Sequence, residues 1–189
     1  MADPVSILSP SHEIIGPRLR LRDIRLEDAH ETYAGWMNDP EVVRYTESRS
    51  VHHSPETLHD FIKHVTESQR DLLLAIVLKD EDRHIGNIKL GDIDIRRGIG
   101  VIGIIIGDKN CWGRGYASES IGLLANYAFE TIGLHELTAS IYAANEGSIH
   151  AFKRAGFRKE GVLKDRCVHD GKRTDVLRFM RMQKDKSEK

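Results

Sequence analysis

A glycine-containing stretch, Trp112-Gly113-Arg114-Gly115-Tyr116-Ala117, has the residue types that a phosphate-binding turn needs. It follows an apolar run at Ile99–Ile106 that predicts a strand, and strong helical periodicity begins soon after it. Glycines let successive backbone N–H groups point into one concavity, and the unpaired N–H groups of a helix N-terminus favour an anion. Arg114 adds a positive charge. The order of strand, turn and helix predicts a phosphate site, although two glycines alone suit a structural turn equally well.

The same spacing narrows the class of phosphate ligand. The pair Lys-Ser or Lys-Thr that completes a P-loop does not follow the second glycine, and the third glycine of a dinucleotide fingerprint is missing. The ligand is therefore expected to be neither ATP nor a nicotinamide dinucleotide.

Cysteine and histidine side chains are the other potentially reactive groups in the sequence. Cys111 precedes the turn, where a helix N-terminus can activate a thiol, but no histidine partner is apparent. Of the ten histidines, four are close in sequence: His52, His53, His59 and His64. No pair among them has the spacing of a zinc helix, so a solvated loop and helix face is expected and no metal is predicted.

Charge and hydropathy exclude two classes of protein. The 189 residues include 28 basic and 29 acidic ones, which argues against binding to nucleic acid. The longest apolar runs, Leu72–Leu78 and Ile99–Ile106, are too short to span a bilayer, and the N-terminus has no export segment. With two cysteines, Cys111 and Cys167, expected to be reduced, a cytoplasmic protein is predicted.

The first half of the chain predicts helices and strands that must position the turn. Residues 18–23 alternate basic and apolar side chains, as a half-exposed strand does. A helix should begin with Glu27 and Asp28 in its first turn, bury one face and end at Asn38-Asp39-Pro40. A second helix should begin at Ser54-Pro55-Glu56. The buried face of the first is predicted to hold Ala29, Tyr33, Trp36 and Met37, and that of the second Leu58, Phe61, Ile62 and Val65.

The second half predicts strands at Leu72–Leu78, 84–95 and Ile99–Ile106, with a bulge between Leu90 and Ile93. A long helix with Ile121, Leu124, Ala125, Ala128, Phe129 and Ile132 on one face should end at Gly133. A strand at 137–143, a short helix capped by Asn145, and closing strands at 157–163 and 176–182 joined by an Asp170-Gly171 turn should follow. We expect one domain over residues 12–183 with flexible termini at 1–11 and 184–189.

Three motifs in register resemble one enzyme family. The stretch Asn110-Cys111-Trp112-Gly113-Arg114-Gly115-Tyr116-Ala117 resembles the coenzyme A pyrophosphate loop of the GNAT acetyltransferases, with Asn110 where that family usually has Gln or Arg. Asn145-Glu146-Gly147-Ser148 with Ala155-Gly156-Phe157 resembles a second family segment. Leu19-Arg20-Leu21-Arg22 and the stretch from Trp36 to Val42 resemble the RimJ/RimL-like branch.

The resemblance implies an α/β fold and a cofactor. The fold is a mixed, mostly antiparallel sheet of six to seven strands with helices on both faces, splayed between its fourth and fifth strands, here Ile99–Ile106 and 137–143. Acetyl-coenzyme A is the implied cosubstrate. Its pantetheine arm is expected along the backbone of Ile104, Ile105 and Ile106, where an N–H can stabilise an oxyanion. Asn110 through Ala117, Asn145, Ser148 and Phe152 are the other implied contacts.

The implied reaction is direct attack of a primary amine on the thioester in a ternary complex. Ser148 is a candidate partner of the departing thiolate, or it only completes a helical turn, and Asn145 is a cap with an implied site contact. Tyr142 is a possible polar contact. Many relatives carry a glutamate on the fourth strand, and residues 99–106 contain none. Glu119 suits the helix dipole better than catalysis.

The acceptor is expected to be a protein N-terminal amine or a small amine such as an amino-sugar nucleotide or a polyamine. Glu47 and Arg49 either line its site or are solvated. Trp36 and Tyr33 line it or, as their apolar spacing favours, lie in the core. A non-catalytic acyl-coenzyme A sensor is the alternative function. The chain is expected to be a monomer or homodimer, without nucleic acid or membrane partners.

Overall fold

The structure is a computed structural model that describes residues 11–169 and 171–183. The predicted flexible termini (residue 11 apart) and Asp170 of the predicted hairpin turn lie outside the described residues. Within them, no helix is both long and apolar enough to cross a membrane.

One mixed sheet of eight strands, in the order β1-β2-β3-β4-β5-β6-β8-β7, organises the described residues. Every neighbouring pair is antiparallel except β5 and β6, which are parallel. The strands are β1 Glu13–Ile15, β2 Leu19–Asp23, β3 Leu72–Leu78, β4 Arg83–Asp94, β5 Ile99–Ile106, β6 Glu136–Tyr142, β7 Arg158–His169 and β8 Lys172–Met182. The strand that the predicted count of six to seven leaves out is β1, which has only three residues and shows no periodicity.

In the described part of the chain, four α-helices cover the two faces of the sheet: α1 Glu31–Asn38, α2 Pro55–Glu67, α3 Tyr116–Tyr127 and α4 Glu146–Arg154. The position of strand β3 in the sheet explains why its sequence is apolar throughout. Leu72, Leu74 and Ile76 point into the core under α3 and α4, whereas Leu73, Ala75 and Val77 point into the core under α1 and α2. The central strand is therefore buried on both faces.

Two details of the first two helices differ from prediction. Glu27 and Asp28 lie in a separate 3-10 turn, Leu26–Asp28, rather than in the first turn of α1. The Asp28 carboxylate accepts two hydrogen bonds of 2.7 Å from Arg22 and one of 2.8 Å from the Arg25 N–H, so it has strong local partners. Phe61 of α2 was predicted to be buried, but 43% of it is exposed.

The ends of the other elements agree with the sequence in their main features. Ser54 caps α2, and the Asn145 side chain accepts a hydrogen bond of 3.1 Å from the Ser148 N–H at the start of α4. The long helix continues beyond α3 as a π-helical segment, Ala128–Ile132, and ends at Gly133. The closing strands β7 and β8 are longer than predicted, because β7 is mostly exposed and β8 is mostly intermediate or exposed in burial, so neither shows a clear alternation along its whole length.

Two irregularities in the sheet were expected. The pairing of β4 with β5 shifts between Gly91 and Asp94, which confirms the predicted bulge, and Asp92 has a positive φ of 50° there. Strand β5 pairs with β6 only at Ile99–Glu136, Gly100–Leu137 and Val101–Thr138. The two strands then diverge, which confirms the predicted splay and leaves residues 102–106 without a strand partner on that side.

Candidate active site

The glycine turn between β5 and α3 presents a row of free backbone donors. Gly113 and Gly115 have φ values of 72° and 81°, a conformation that side chains disfavour, and Gly115 is the N-cap of α3. The N–H groups of residues 113–115 donate to no backbone or side-chain group among the described residues. Those of residues 116–118 belong to the first helical turn, where N–H groups have no partner within the helix. The turn can therefore surround an anion with several donors.

The residues just before the turn use their backbone donors internally. A 3-10 turn, Lys109–Cys111, begins with Asp108, whose carboxylate accepts a hydrogen bond of 2.9 Å from the Asn110 N–H. The Cys111 and Trp112 N–H groups donate to the carbonyls of Asp108 and Lys109. Free donors therefore begin at Gly113 rather than at Asn110, a division that the sequence pattern did not reveal.

Arg18, the residue just before β2, contacts the glycine turn and the first turn of α3. Its Nε donates to Glu119 at 2.7 Å, and its Nη1 donates to the Arg114 carbonyl at 2.9 Å. Its guanidinium also lies 4.7 Å from the centre of the Tyr116 ring. Glu119 thus serves as the ion-pair partner of Arg18. Arg18 was missed as a site residue because its contacts are far away in sequence.

Cys111 lies in the core rather than in the turn. Its thiol is buried and contacts the Asp108 carboxylate at 3.5 Å. Burial and the adjacent negative charge raise the pKa of Cys111, so the reactive thiolate is disfavoured. Among the described residues, no group of histidine, cysteine and acidic side chains has the arrangement of a metal site.

The gap between β5 and β6 opens at the C-terminal ends of both strands, because they are parallel. The glycine turn follows β5 and the N-terminus of α4 follows β6, so both adjoin this opening. The Trp112 indole donates to the Ile106 carbonyl at 2.8 Å, which fixes the turn to the end of β5. Ser148 is half-buried at the start of α4, and no described group bonds its hydroxyl. Phe152 is buried and packs edge-on against Phe157 at 5.1 Å.

Tyr142, Glu47 and Arg49 meet at the end of β6. The Tyr142 hydroxyl donates to Glu47 at 2.8 Å and accepts a hydrogen bond of 2.7 Å from Arg49. Burial is the main cause that raises the pKa of Tyr142, and Glu47 adds to it, so the phenol keeps its proton at neutral pH. All three residues were separate candidates from the sequence. Their contact could not be predicted, because more than 90 residues separate Tyr142 from the other two.

A cavity of about 570 Å³ adjoins this network on the α1 side. Its lining comes from the last two residues of α1, Met37 and Asn38, from the loop between α1 and α2, and from His169. The His169 ring packs against Tyr45 with the ring centres 4.9 Å apart and the planes tilted by 36°, and the centres of both rings lie 6.0 Å from that of Tyr142. Tyr45 and His169 were not predicted as site residues, because only the long β7–β8 hairpin brings His169 back to the loop.

Trp36 and Tyr33 of α1 both lie in the core under α1 and α2, beside this region. Trp36 lies so close to Gly107 at the end of β5 that a Cβ there would be 2.1 Å from its ring. Tyr33 is only 4% exposed, and burial raises its pKa to about 12 although its hydroxyl bonds Asn87. Beside both rings lies His84, whose Nε2 bonds Gly86 and Asn87 at 2.9 Å. Burial lowers the pKa of His84, so its ring is neutral at pH 7.

Comparisons with known proteins agree with this geometry. The family profile described as acetyltransferase (GNAT) domain matches residues 18–158. The uncharacterised N-acetyltransferase p20 of Bacillus licheniformis is 32% identical over 169 residues, which cover 86% of this chain and 91% of p20.

Two solved structures share the fold. The ribosomal-protein-S5-alanine acetyltransferase of Vibrio fischeri has a TM-score of 0.80 at 20% identity, covering 92% of this chain and 98% of its own. The spermidine N-acetyltransferase of Vibrio cholerae, in complex with CoA and spermine, has a TM-score of 0.79 at 21% identity, covering 89% and 97%. From the profile match and the relative at 32% identity, the chain belongs to the GNAT family of N-acetyltransferases, which use acetyl-coenzyme A.

Proposed function

We propose that the protein transfers the acetyl group of acetyl-coenzyme A to a primary amine by direct attack in a ternary complex. The observation that carries this proposal is that three features of the site lie at the same end of the sheet. The free N–H groups of residues 113–117, the unpaired edge of β5 and the Tyr142–Glu47 pair all lie at the end of the sheet where β5 and β6 separate.

The residues present fit the cosubstrate. The turn offers backbone donors and the α3 dipole to the pyrophosphate, with Arg114 beside them. The edge at Ile104, Ile105 and Ile106 has unpaired backbone groups that an extended arm can pair with. Asn145 and Ser148 are proposed contacts from α4. Asn110, Cys111 and Trp112 are assigned a supporting role, because their N–H groups are already bonded.

Acetyl-coenzyme A supplies the thioester, and the side chains supply proton transfer. The transfer forms a C–N bond and breaks the C–S bond. An ammonium acceptor loses two protons, one to the departing sulfur and one to solvent. We propose that Glu47 accepts a proton from the ammonium and that Tyr142, whose phenol stays protonated, orients that carboxylate. The Ser148 hydroxyl is the proposed donor to the thiolate.

The two solved relatives have different amine acceptors by name, one a ribosomal protein alanine and the other spermidine. We therefore propose a primary amine as the acceptor class. Trp36, which packs on Gly107 at the end of β5, is proposed to bound the acceptor region, and Tyr33 supports it from the core.

The test measures free thiol released from acetyl-coenzyme A in the presence of a panel of primary amines. Thiol release with at least one amine is expected. Tyr142→Phe should lower kcat by about tenfold or more, because the phenol that orients Glu47 loses its hydroxyl, while the affinity for coenzyme A stays unchanged. Thermal stabilisation by acetyl-coenzyme A without thiol release for any amine would instead support the sensor function.

A further inference from the structure

The cavity beside Tyr142 has a cationic lining. Two arginines and two histidines contribute to it, and no carboxylate does so among the described residues. The lining residues that carry or can carry positive charge are Arg44, Arg49, His52 and His169. Its volume of about 570 Å³ is that of a small-molecule site.

We propose that the acceptor is a small zwitterion, an amine that also carries a carboxylate or phosphate, and that Arg49 binds this anionic group. The inference rests on the proposed acetyl transfer, since it names the substrate class of the same site.

Arg49 is held in place and still has donors to offer. Its Nη1 donates to the Thr46 carbonyl at 2.8 Å and to the Tyr142 hydroxyl at 2.7 Å. Its Nη2 donates to the Val168 carbonyl at 2.6 Å. All three acceptors are neutral. Of the five guanidinium N–H groups, the one on Nε and one on Nη2 have no partner among the described residues. Nε and Nη2 share the edge that pairs bidentately with carboxylates and phosphates.

The phenol of Tyr142 lies between Arg49, the proposed binding site of the anionic group, and Glu47, the proposed binding site of the ammonium. The Tyr142 hydroxyl is 2.7 Å from the Arg49 guanidinium and 2.8 Å from the Glu47 carboxylate. An acceptor whose ammonium lies at Glu47 therefore places a group a few bonds away within reach of Arg49. An anionic group there gains a charge-assisted pair, whereas the second ammonium of a polyamine meets a like charge.

The experiment compares matched acceptors in the thiol-release assay. Phosphoethanolamine is paired with ethanolamine, β-alanine is paired with its amide, and spermidine is the cationic reference. At least one anionic member is expected to exceed its neutral partner by about tenfold or more in kcat/KM, as one charge-assisted pair provides. The pair that shows the difference identifies the anion as phosphate or carboxylate.

Arg49→Gln should remove this preference, mainly through a higher KM for the anionic acceptor, and Arg49→Lys should restore part of it. The matched control is Lys63→Gln, which removes one positive charge from the exposed face of α2 and should leave the ratio unchanged. Neutral partners that equal the anionic members, or spermidine as the best acceptor, would overturn the inference and leave acetyl transfer intact.

If no amine releases thiol, the proposed function fails and binding decides the inference. Phosphoethanolamine or β-alanine should then still raise the Tm of the protein saturated with coenzyme A, and Arg49→Gln should abolish that shift. The absence of any such shift in the unsubstituted protein would overturn the inference independently of turnover.

Discussion

Gly115→Ala tests the placement of the phosphate site, and the same helix provides its control. Gly115 begins α3 with a φ of 81°, and Gly133 ends the helical segment after α3 with a φ of 85°. An added Cβ would meet only the Arg18 guanidinium at 3.5 Å in the first case and no atom within 4 Å in the second. Both substitutions therefore cost about 1–2 kcal/mol of backbone strain, without a steric clash in the free protein.

The two variants should differ in affinity for coenzyme A. Each should lower the Tm by roughly 2–8 °C, because about 1 kcal/mol shifts a domain of this size by about 2–4 °C. Only at Gly115 does the new methyl group stand in the turn to which we assign the phosphate. Loss of one charge-assisted hydrogen bond, about 1.5–3 kcal/mol, raises the Kd of coenzyme A by about tenfold or more. Titration calorimetry measures that Kd. Equal affinity in the two variants would refute the assignment of the phosphate site to this turn.

Three further predictions concern the surroundings of the site. Arg18→Ala and Glu119→Gln should each weaken coenzyme A binding. A double-mutant cycle on the free energy of unfolding should give a coupling of about 0.5–1 kcal/mol, because the Arg18 side chain is half exposed. Purely additive effects of the two substitutions would contradict the ion pair. His84 has a lowered pKa in the folded state, so the unfolded chain binds more protons and the free energy of unfolding should fall as the pH drops below 6.5, the ordinary pKa of histidine. In urea titrations at pH 7.5 and 5.5, His84→Asn should lose less of this free energy between the two pH values than the unsubstituted chain does. Ile62→Ala should cost about 2–5 kcal/mol, whereas Phe61→Ala should cost under about 1 kcal/mol; similar urea midpoints would contradict the observed orientation of α2.

The elements with an apolar face were predictable from the sequence, because burial imposes a period on each of them. Strand β3 is apolar at every position since both of its faces are covered. Strand β1 escaped detection because three residues carry no period. The start of α1 was misplaced because acidic residues also suit a 3-10 turn, where Asp28 binds Arg22 instead.

Some features of the candidate site depend on residues close in sequence, and others depend on residues that are far apart in sequence. The glycine turn and the Asn145 cap are encoded within a few residues, so their positions could be predicted. The contact of Tyr142 with Glu47 depends on how the loop after α1 packs on β6, and no local pattern records that packing. The start of the free donors at Gly113 depends on the preceding 3-10 turn, in which the Asp108 carboxylate accepts a hydrogen bond from the Asn110 N–H and two backbone carbonyls accept from Cys111 and Trp112. Periodicity does not reveal these bonds.

The short seam between β5 and β6 has a dynamic consequence. Within the part of the chain that the structure describes, three residue pairs join β5 to β6, and two backbone hydrogen bonds from His135 and Glu136 to the Gly98 carbonyl extend this seam. The backbone therefore holds the two halves together over a short length. Helices α3 and α4 add side-chain packing across the same division, within one core cluster. The two halves therefore meet the conditions for separate opening units, with amide hydrogens at the seam exchanging before those of β3 and β4. A molecule bound in the gap contacts both halves, and its occupancy should slow exchange across the seam as well as at its own contacts.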